Sequence, residues 1–286
     1  MAYVGLDELC EYNIGAAAVA FDQVQGGEMG HTEGDDINHY DGIGGQYAKC
    51  RPGVVPGGNV ETLLQDGVLL LTNYFLRSAV ASLPSVITYI QGGLINVASQ
   101  AKKQKSCYMD SVEIACAVGE PVTVTYNWLA LEEEAATVAS AATQLSTAIF
   151  CWSAGDLQID SGTYQAQSFR VTGRNNLRPV FSLDDGTTNE LRWPEEVVPG
   201  IFEAEINVDI RTPSSVDLMA DAPTAFDFVF TASNGAKTFT FTSAGGGGFN
   251  PTSAPVPFVG GGDDVVWTLT GEINHNDLSA WGVTLA

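Results

Sequence analysis

Residues 199–211, Pro-Gly-Ile-Phe-Glu-Ala-Glu-Ile-Asn-Val-Asp-Ile-Arg, leave few folds open. Alternate positions sort into Phe202, Ala204, Ile206, Val208 and Ile210 on one side and Glu203, Glu205, Asn207, Asp209 and Arg211 on the other. Successive side chains of a strand point to opposite faces, so one set enters a core while the other meets water. Pro199-Gly200 supplies the turn before the strand, and Thr212-Pro213 ends it, because proline has no N–H to give to a ladder. Three of the five outward positions are carboxylates. Such a face suits a surface that must not hold a polyanion, and equally a solvated face of an acidic protein.

The whole chain is acidic, with 34 Asp+Glu against 12 Lys+Arg in 286 residues and a formal net charge of −22. At ordinary ionic strength this self-repulsion opposes compaction, and salt screens it. A very salty cytoplasm or medium is therefore expected. Base-reading DNA binding is not, since nothing is present to neutralise a row of phosphates. Five cysteines (Cys10, Cys50, Cys107, Cys116, Cys151), odd in number and without a Cys-x-x-Cys pair, argue against a zinc site and a disulfide framework. No basic region followed by an apolar stretch opens the chain, so no secretion signal is expected. Nor is membrane insertion, for want of a long uncharged apolar run. The length allows a sizeable core, in one large β domain or two smaller ones.

Residues 1–58, rich in glycine and acid, read as an extended N-terminal arm with short structured pieces, followed by a β domain over 59–286. Within the arm, His31 to Asp41 gathers potential metal ligands. Its spacing matches neither an EF-hand loop nor His-Glu-x-x-His, so a solvated or subunit-contacting loop is expected. Val60–Leu71 begins like a helix, although 67–72 suits a buried strand equally; Phe75–Ser82 looks helical. Ser85–Ile90 is strand-like, with Gly92-Gly93 as a turn. Lys102, Lys103 and Lys105 hold three of the five lysines. A nucleic-acid patch is one explanation. A loop pairing with acid on a neighbouring subunit fits the surrounding charge better.

From Cys107 the pattern is firmly β. Ser111–Val118, a Gly-Glu-Pro turn and Val122–Trp128 read as an antiparallel hairpin with Val122, Val124, Tyr126 and Trp128 on one face. Glu132–Ser146 fits a helix led by three glutamates, or a solvated loop. Gln167–Asn176 leads through Asn175-Asn176 towards Arg178–Leu183 as a further hairpin. A loop with Asp184-Asp185 and Trp193-Pro194-Glu195-Glu196 then feeds the 201–211 strand. Beyond Pro213, Val216–Ala220 suits a short helix, Ala225–Thr231 and Lys237–Thr242 a strand pair around Ser-Asn-Gly, and Val265–Ile273 a closing strand. Gly245–Gly248 and Pro251–Pro257 read as a flexible loop; the glycines open no helix, so no phosphate cradle is expected.

Three segments in this order resemble a major tail tube protein of tailed double-stranded DNA viruses. They are the Ser111–Trp128 hairpin, Phe169-Arg-Val-Thr-Gly-Arg-Asn-Asn-Leu-Arg-Pro-Val-Phe181, and Pro199–Ile210. Asp217–Ala220, the Phe-rich pair and Val265–Ile273 follow in the usual sequence. The resemblance covers about residues 60–280. It implies a mainly β, tail-tube-type sandwich or barrel with a flanking helix, assembling as hexameric rings that stack into a siphovirus-like tail tube. It further implies an acidic lumen through which DNA is ejected, here with Glu203, Glu205 and Asp209 facing inward. Implied partners are further copies of the chain and other tail proteins (tape measure, tail terminator, baseplate). Lys102, Lys103, Lys105 and Trp193 are candidate inter-subunit contacts. The long N-terminal arm and the extreme acidity depart from the family's usual pattern, and the acidity points to a virus of a halophilic archaeon, with its tail protein made in the host cytoplasm.

No catalytic residue, cofactor or metal is expected. The three histidines (His31, His39, His275) sit in no triad or metal motif. Asp184-Asp185 and Glu195-Glu196, with Trp193 as a sugar platform, are the nearest approach to a glycoside-cleaving pair, and read more simply as loop carboxylates. The remaining alternative is a capsid decoration protein, or a β-sandwich binding or adhesin module of a halophile.

Overall fold

The computed structural model describes residues 8–15, 18–33, 38–42, 45–50, 53–65, 75, 77, 82–94, 101–136, 148–159, 162–181, 193–211, 227–243, 249–253, 266–273 and 281–286. The elements with described bounds are all strands, and Phe75 alone has helical backbone among the described residues. The N-terminal half holds β1 (Glu8–Asn13), β2 (Ala18–Ala20), β3 (Gln23–Glu33), β4 (Asn38–Gly42), β5 (Gly45–Cys50), β6 (Val54–Leu63), β7 (Ile87–Leu94), β8 (Ala101–Ala117), β9 (Thr123–Leu129) and β10 (Glu132–Ala135). Then come β11 (Cys151–Ile159), β12 (Gly162–Arg174), β13 (Arg178–Val180), β14 (Glu196–Val198) and β15 (Glu203–Arg211). The chain closes with β16 (Phe228–Ser233), β17 (Thr238–Ser243), β18 (Phe249–Ser253), β19 (Val266–Ile273) and β20 (Trp281–Leu285).

Sixteen strands form one branched antiparallel network. Its main sheet runs β3-β6-β9-β8-β12-β15-β19-β18. Two strands are long enough to serve a second sheet. The first half of β8 pairs with β7 and β10, extending through β1 to β2, and the start of β12 pairs with β11, leading to β16, β17 and β20. Ser106, at φ 50°, marks the bend where β8 passes from one sheet to the next. Period-two burial follows from this layering. Val112, Ile114, Val124, Tyr126, Trp128, Phe169, Val171, Ile206, Val208 and Leu269 point inward from the main sheet into a single apolar cluster with Tyr12, Ile90, Leu157, Phe228, Phe230 and Phe241 of the flanking sheets. Phe169 meets Phe230 at 4.1 Å between ring centroids, tying the layers together.

The fold is therefore mainly β, as the alternation predicts, and the 111–128 hairpin, the 203–211 strand, the 228–243 pair and the 266–273 strand are all present, although the last strand is β20, laddered on β17, and not 266–273. In the Ser-Asn-Gly turn, Asn234 Oδ1 accepts the backbone N–H groups of Ala236 and Lys237, and Gly235 takes φ +86°. Other expectations are corrected. Residues 60–63 are strand, not helix, because β6 is laddered on both edges by β3 and β9. Gly92-Gly93 lies inside β7 rather than at a turn. Lys102–Lys105 is strand rather than loop, and Glu132–Ala135, read as helix or loop, is the strand laddered against it. Arg178–Val180 pairs with Glu196–Val198, not with β12, and Pro251 falls within β18.

The flanking-helix candidates at 75–82, 137–146 and 216–220 lie wholly or mostly outside the described residues, as do Asp184-Asp185 and Gly245–Gly248. No helix among the described residues is long and apolar enough to cross a membrane. Within residues 1–58, β1 and β3 are laddered into the network, β4 and β5 pair with each other, and β6 runs through residue 58.

Candidate functional site: an acidic sheet face

Antiparallel register aligns the outward side chains of the main sheet in rows. One row reads Glu61, Thr125, Glu113, Thr172, Glu205, Glu272 across six adjacent strands. The next reads Glu28, Asn59, Asn127, Ser111, Arg174, Glu203. A third places Ala117, Ser168, Asp209 and Thr268 side by side. Neighbouring strands lie about 4.8 Å apart, so carboxylates two strands removed repeat at roughly 10 Å. Glu203, Glu205 and Asp209 thus share one face, as their spacing predicts. Glu28, Glu61, Glu113 and Glu272 join them. Their signal was the same period of two, hidden for Glu61 by the helical reading.

Small polar neighbours hold the face together. Asp209 accepts hydrogen bonds from Ser168 Oγ (2.7 Å) and Thr268 Oγ1 (2.8 Å), and Glu205 one from Asn207 Nδ2 (3.0 Å). Arg170 Nε lies 3.2 Å from Glu113 Oε1, so this guanidinium is occupied by an acid of the face itself. Arg174 stands across from Glu203 and, with Glu205, Glu272, Thr172 and Ala204, lines an open depression. Seven named carboxylates against Arg170, Arg174 and Arg211, which ends the outward row of β15, leave the face negative.

The other candidates lie elsewhere. Lys102, Lys103 and Lys105 ladder against β10 and pair within the same chain. Lys102 Nζ is 2.8 Å from Glu133, Lys103 Nζ 3.4 Å from Glu134, and Lys105 Nζ 2.6 Å from Glu134 and 3.2 Å from Glu132. Trp193 is half-buried with its ring edge-on to His31 at 6.0 Å. His31 in turn bonds Glu133 at 3.1 Å, and among the described residues no three His, Cys, Asp or Glu side chains gather as metal ligands.

A second polar cluster fixes the Asn-Asn-Leu segment. β8 bulges at Asp110, which turns that residue towards the end of β12. Its carbonyl accepts Asn175 N–H (2.6 Å) and its Oδ1 accepts Leu177 N–H (2.7 Å). Buried Asn175 donates to the carbonyls of Phe75 and Met109, and Arg77 donates to Asn175 Oδ1 (2.7 Å), to the Asn175 carbonyl and to the Gly200 carbonyl (2.8 Å). Burial pushes the Asp110 carboxyl up, against the Leu177 bond and the charges of Arg77 and Arg174. Arg77 had no sequence signal, since its partners lie about a hundred residues away in the chain.

Together the fold and this face define a mainly β protein that presents a charged sheet wall. The family model described as phage tail tube protein matches residues 17–274, and the chain belongs to that family. It is a structural protein of the virion tail. No curated protein matches the chain.

Proposed function

We propose that the subunit assembles into stacked, hexameric rings of a siphovirus-like tail tube and that the main sheet's acidic face lines the lumen through which DNA is ejected. The observation that carries this reading is the alignment of Glu61, Glu113, Glu205 and Glu272 in one row, with Glu28, Glu203 and Asp209 beside it. A like-charged wall repels a polyanion all along its path, whereas a basic patch would trap it.

Among the described residues β3 and β18 each pair on one side only, which suits closure into a ring. β3 is eleven residues long, unguarded by lysine or proline, and exposed along Gln23–Glu28. Such an edge invites pairing unless another strand covers it. β18 ends the same sheet on the other side. The main sheet has an even number of alternating strands, so β3 and β18 run in opposite directions. A head-to-tail neighbour therefore continues the antiparallel ladder, and such an interface closes into rings. The β3–β6 hairpin, with β4–β5 beyond it, is the inter-subunit contact region of the N-terminal arm. Trp193 and the lysines of β8 contribute to the same contacts, the lysines through whatever charge their own glutamates leave. Tape measure, terminator and baseplate proteins are the further partners, and a halophilic host accounts for the charge.

Electron microscopy of the full chain in multi-molar salt tests the assembly, with hollow tubes of uniform width expected. A persistent monomer removes the proposal. For the lumen, replacing Glu203, Glu205 and Asp209 together by Lys is expected to leave tubes intact and slow DNA ejection. An unchanged ejection rate moves the lumen to another face.

A further inference from the structure

The β3–β6 hairpin leaves the main sheet at one definable level. The β6–β9 ladder ends at Gly57↔Leu129, and only Ala130 N–H to the Pro56 carbonyl (2.9 Å) continues it. Past this point β3 and β6 remain paired with each other to Glu33↔Val54, but among the described residues neither ladders to a third strand. At the exit the two strands carry Gly30 opposite Gly57 and Met29 opposite Gly58. Gly57 and Gly58 have packing reasons: a Cβ on Gly57 would lie 2.7 Å from the Trp128 carbonyl oxygen, and one on Gly58 2.6 Å from the Trp128 ring and 2.5 Å from the Glu28 carbonyl. Gly30 has none; the nearest atom to its added Cβ is Lys102 Nζ at 3.9 Å.

Side chains from β8, β9 and β10 converge on this level. Gln104, wholly buried, points its amide nitrogen at the Gly30 carbonyl (2.8 Å), the Gly57 carbonyl (2.8 Å) and Glu133 Oε2 (2.9 Å). Its Oε1 accepts the Trp128 indole N–H at 2.7 Å, which fixes the amide's orientation. Glu133 Oε1 then takes Lys102 and, from the hairpin itself, His31. Two N–H groups therefore serve three acceptors, two of them backbone carbonyls on the two strands of the hairpin.

We infer that Gln104 and Glu133 form a clasp that sets the angle at which the β3–β6 hairpin leaves the sheet, with Gly30 as the hinge. Backbone bonding to the sheet ends with the Ala130–Pro56 bond, and the side chains of Gln104 and Glu133 hold the hairpin's root beside it, so the clasp determines where the hairpin is presented. The use of that angle to reach a neighbouring copy rests on the tube reading above; the clasp itself does not.

Hydrogen exchange of the unassembled full chain, followed by mass spectrometry, separates the two. In Gln104→Met, which keeps volume and removes the donor, amides of residues 31–33, 54 and 55 are expected to exchange about tenfold faster, with 112–117 and 123–127 unchanged. His31→Phe keeps a ring against Trp193 and removes one bond from the partly exposed rim; the same segments should speed up by a smaller factor. Local acceleration in either variant supports the clasp whether or not tubes form. Unchanged exchange in both, or acceleration spread equally through β8 and β9 in both, overturns it. Loss of tubes by itself bears on assembly.

Discussion

Glu205 on β15 stands directly across the ladder from Glu272 on β19, both side chains outward and exposed. Opposed residues in an antiparallel pair have Cβ atoms about 5 Å apart, and like charges there are destabilising. The fold carries this cost, which identifies the acidic row as something other than a stability device. Glu272→Gln is accordingly expected to stabilise the subunit by about 0.2–1 kcal/mol in low salt. The gain should shrink as salt screens the pair. Urea midpoints at two salt concentrations measure it. A gain independent of salt would mean the two charges do not feel one another.

Glu133 gives a pH dependence of definite sign. Burial pushes its carboxyl up, but bonds from Lys102, Gln104 and His31 and the Lys102 charge more than reverse this, leaving it below the ordinary 4.5. A depressed carboxyl contributes stability that is complete above the unfolded value and is lost as pH falls through the folded one. The window therefore opens below about pH 4.5. Glu133→Gln should be less stable than the natural chain at pH 7, and the two should converge as the solution is acidified. Thermal midpoints from pH 7 to pH 3 test this. A constant gap throughout would assign the effect to packing.

What the sequence makes legible follows from how local each signal is. Phe202 to Arg211 shows its strand because both faces are written in ten consecutive residues, and the 111–128 hairpin because its turn lies between its strands. Lys102–Lys105 and Glu132–Glu134 are also strands, yet each looks like a charged loop alone, since the partner that neutralises it lies about thirty residues away. The same holds more strongly for Arg77 and Asn175. The acidic face lies between these cases. Glu203, Glu205 and Asp209 are read from one strand, whereas adding Glu61, Glu113 and Glu272 needs the cross-strand register, which no local pattern specifies.

Gly200 and Asn176 make a tight crossing. A Cβ on Gly200 would lie 2.1 Å from the Asn176 carbonyl oxygen and 2.8 Å from its Cβ. Asn176 itself is left-handed at φ 49°, with its side-chain amide on the Ile201 carbonyl at 2.8 Å. Gly200→Ala should therefore push the two segments apart and weaken the Arg77 bond to the Gly200 carbonyl. A loss of roughly 1–3 kcal/mol is expected. Asn176→Gly keeps the backbone conformation at no steric cost and gives up one exposed bond, so its effect should stay within about 1 kcal/mol. Chemical denaturation of both variants checks the ordering, and the reverse order would refute this reading of the crossing.

Cys10, half-buried, and Cys107, buried, are free thiols on sheet-forming strands, and their surroundings disfavour the thiolate of each. Burial first, and the neighbouring Glu11 charge second, push the Cys10 thiol from 9.0 to about 12. Burial likewise pushes Cys107 up, opposed by a backbone bond from Ile90. The thiolate is the nucleophile, so at pH 8 a rise of this size lowers the reactive fraction of Cys10 about a thousandfold. Iodoacetamide at pH 8, followed by peptide mass spectrometry, should leave both unmodified in the folded chain and label both in urea. Glu11→Gln removes only the smaller cause and should quicken Cys10 labelling by much less than unfolding does. If that one substitution restored full reactivity, the Glu11 charge rather than burial would be what silences the thiol.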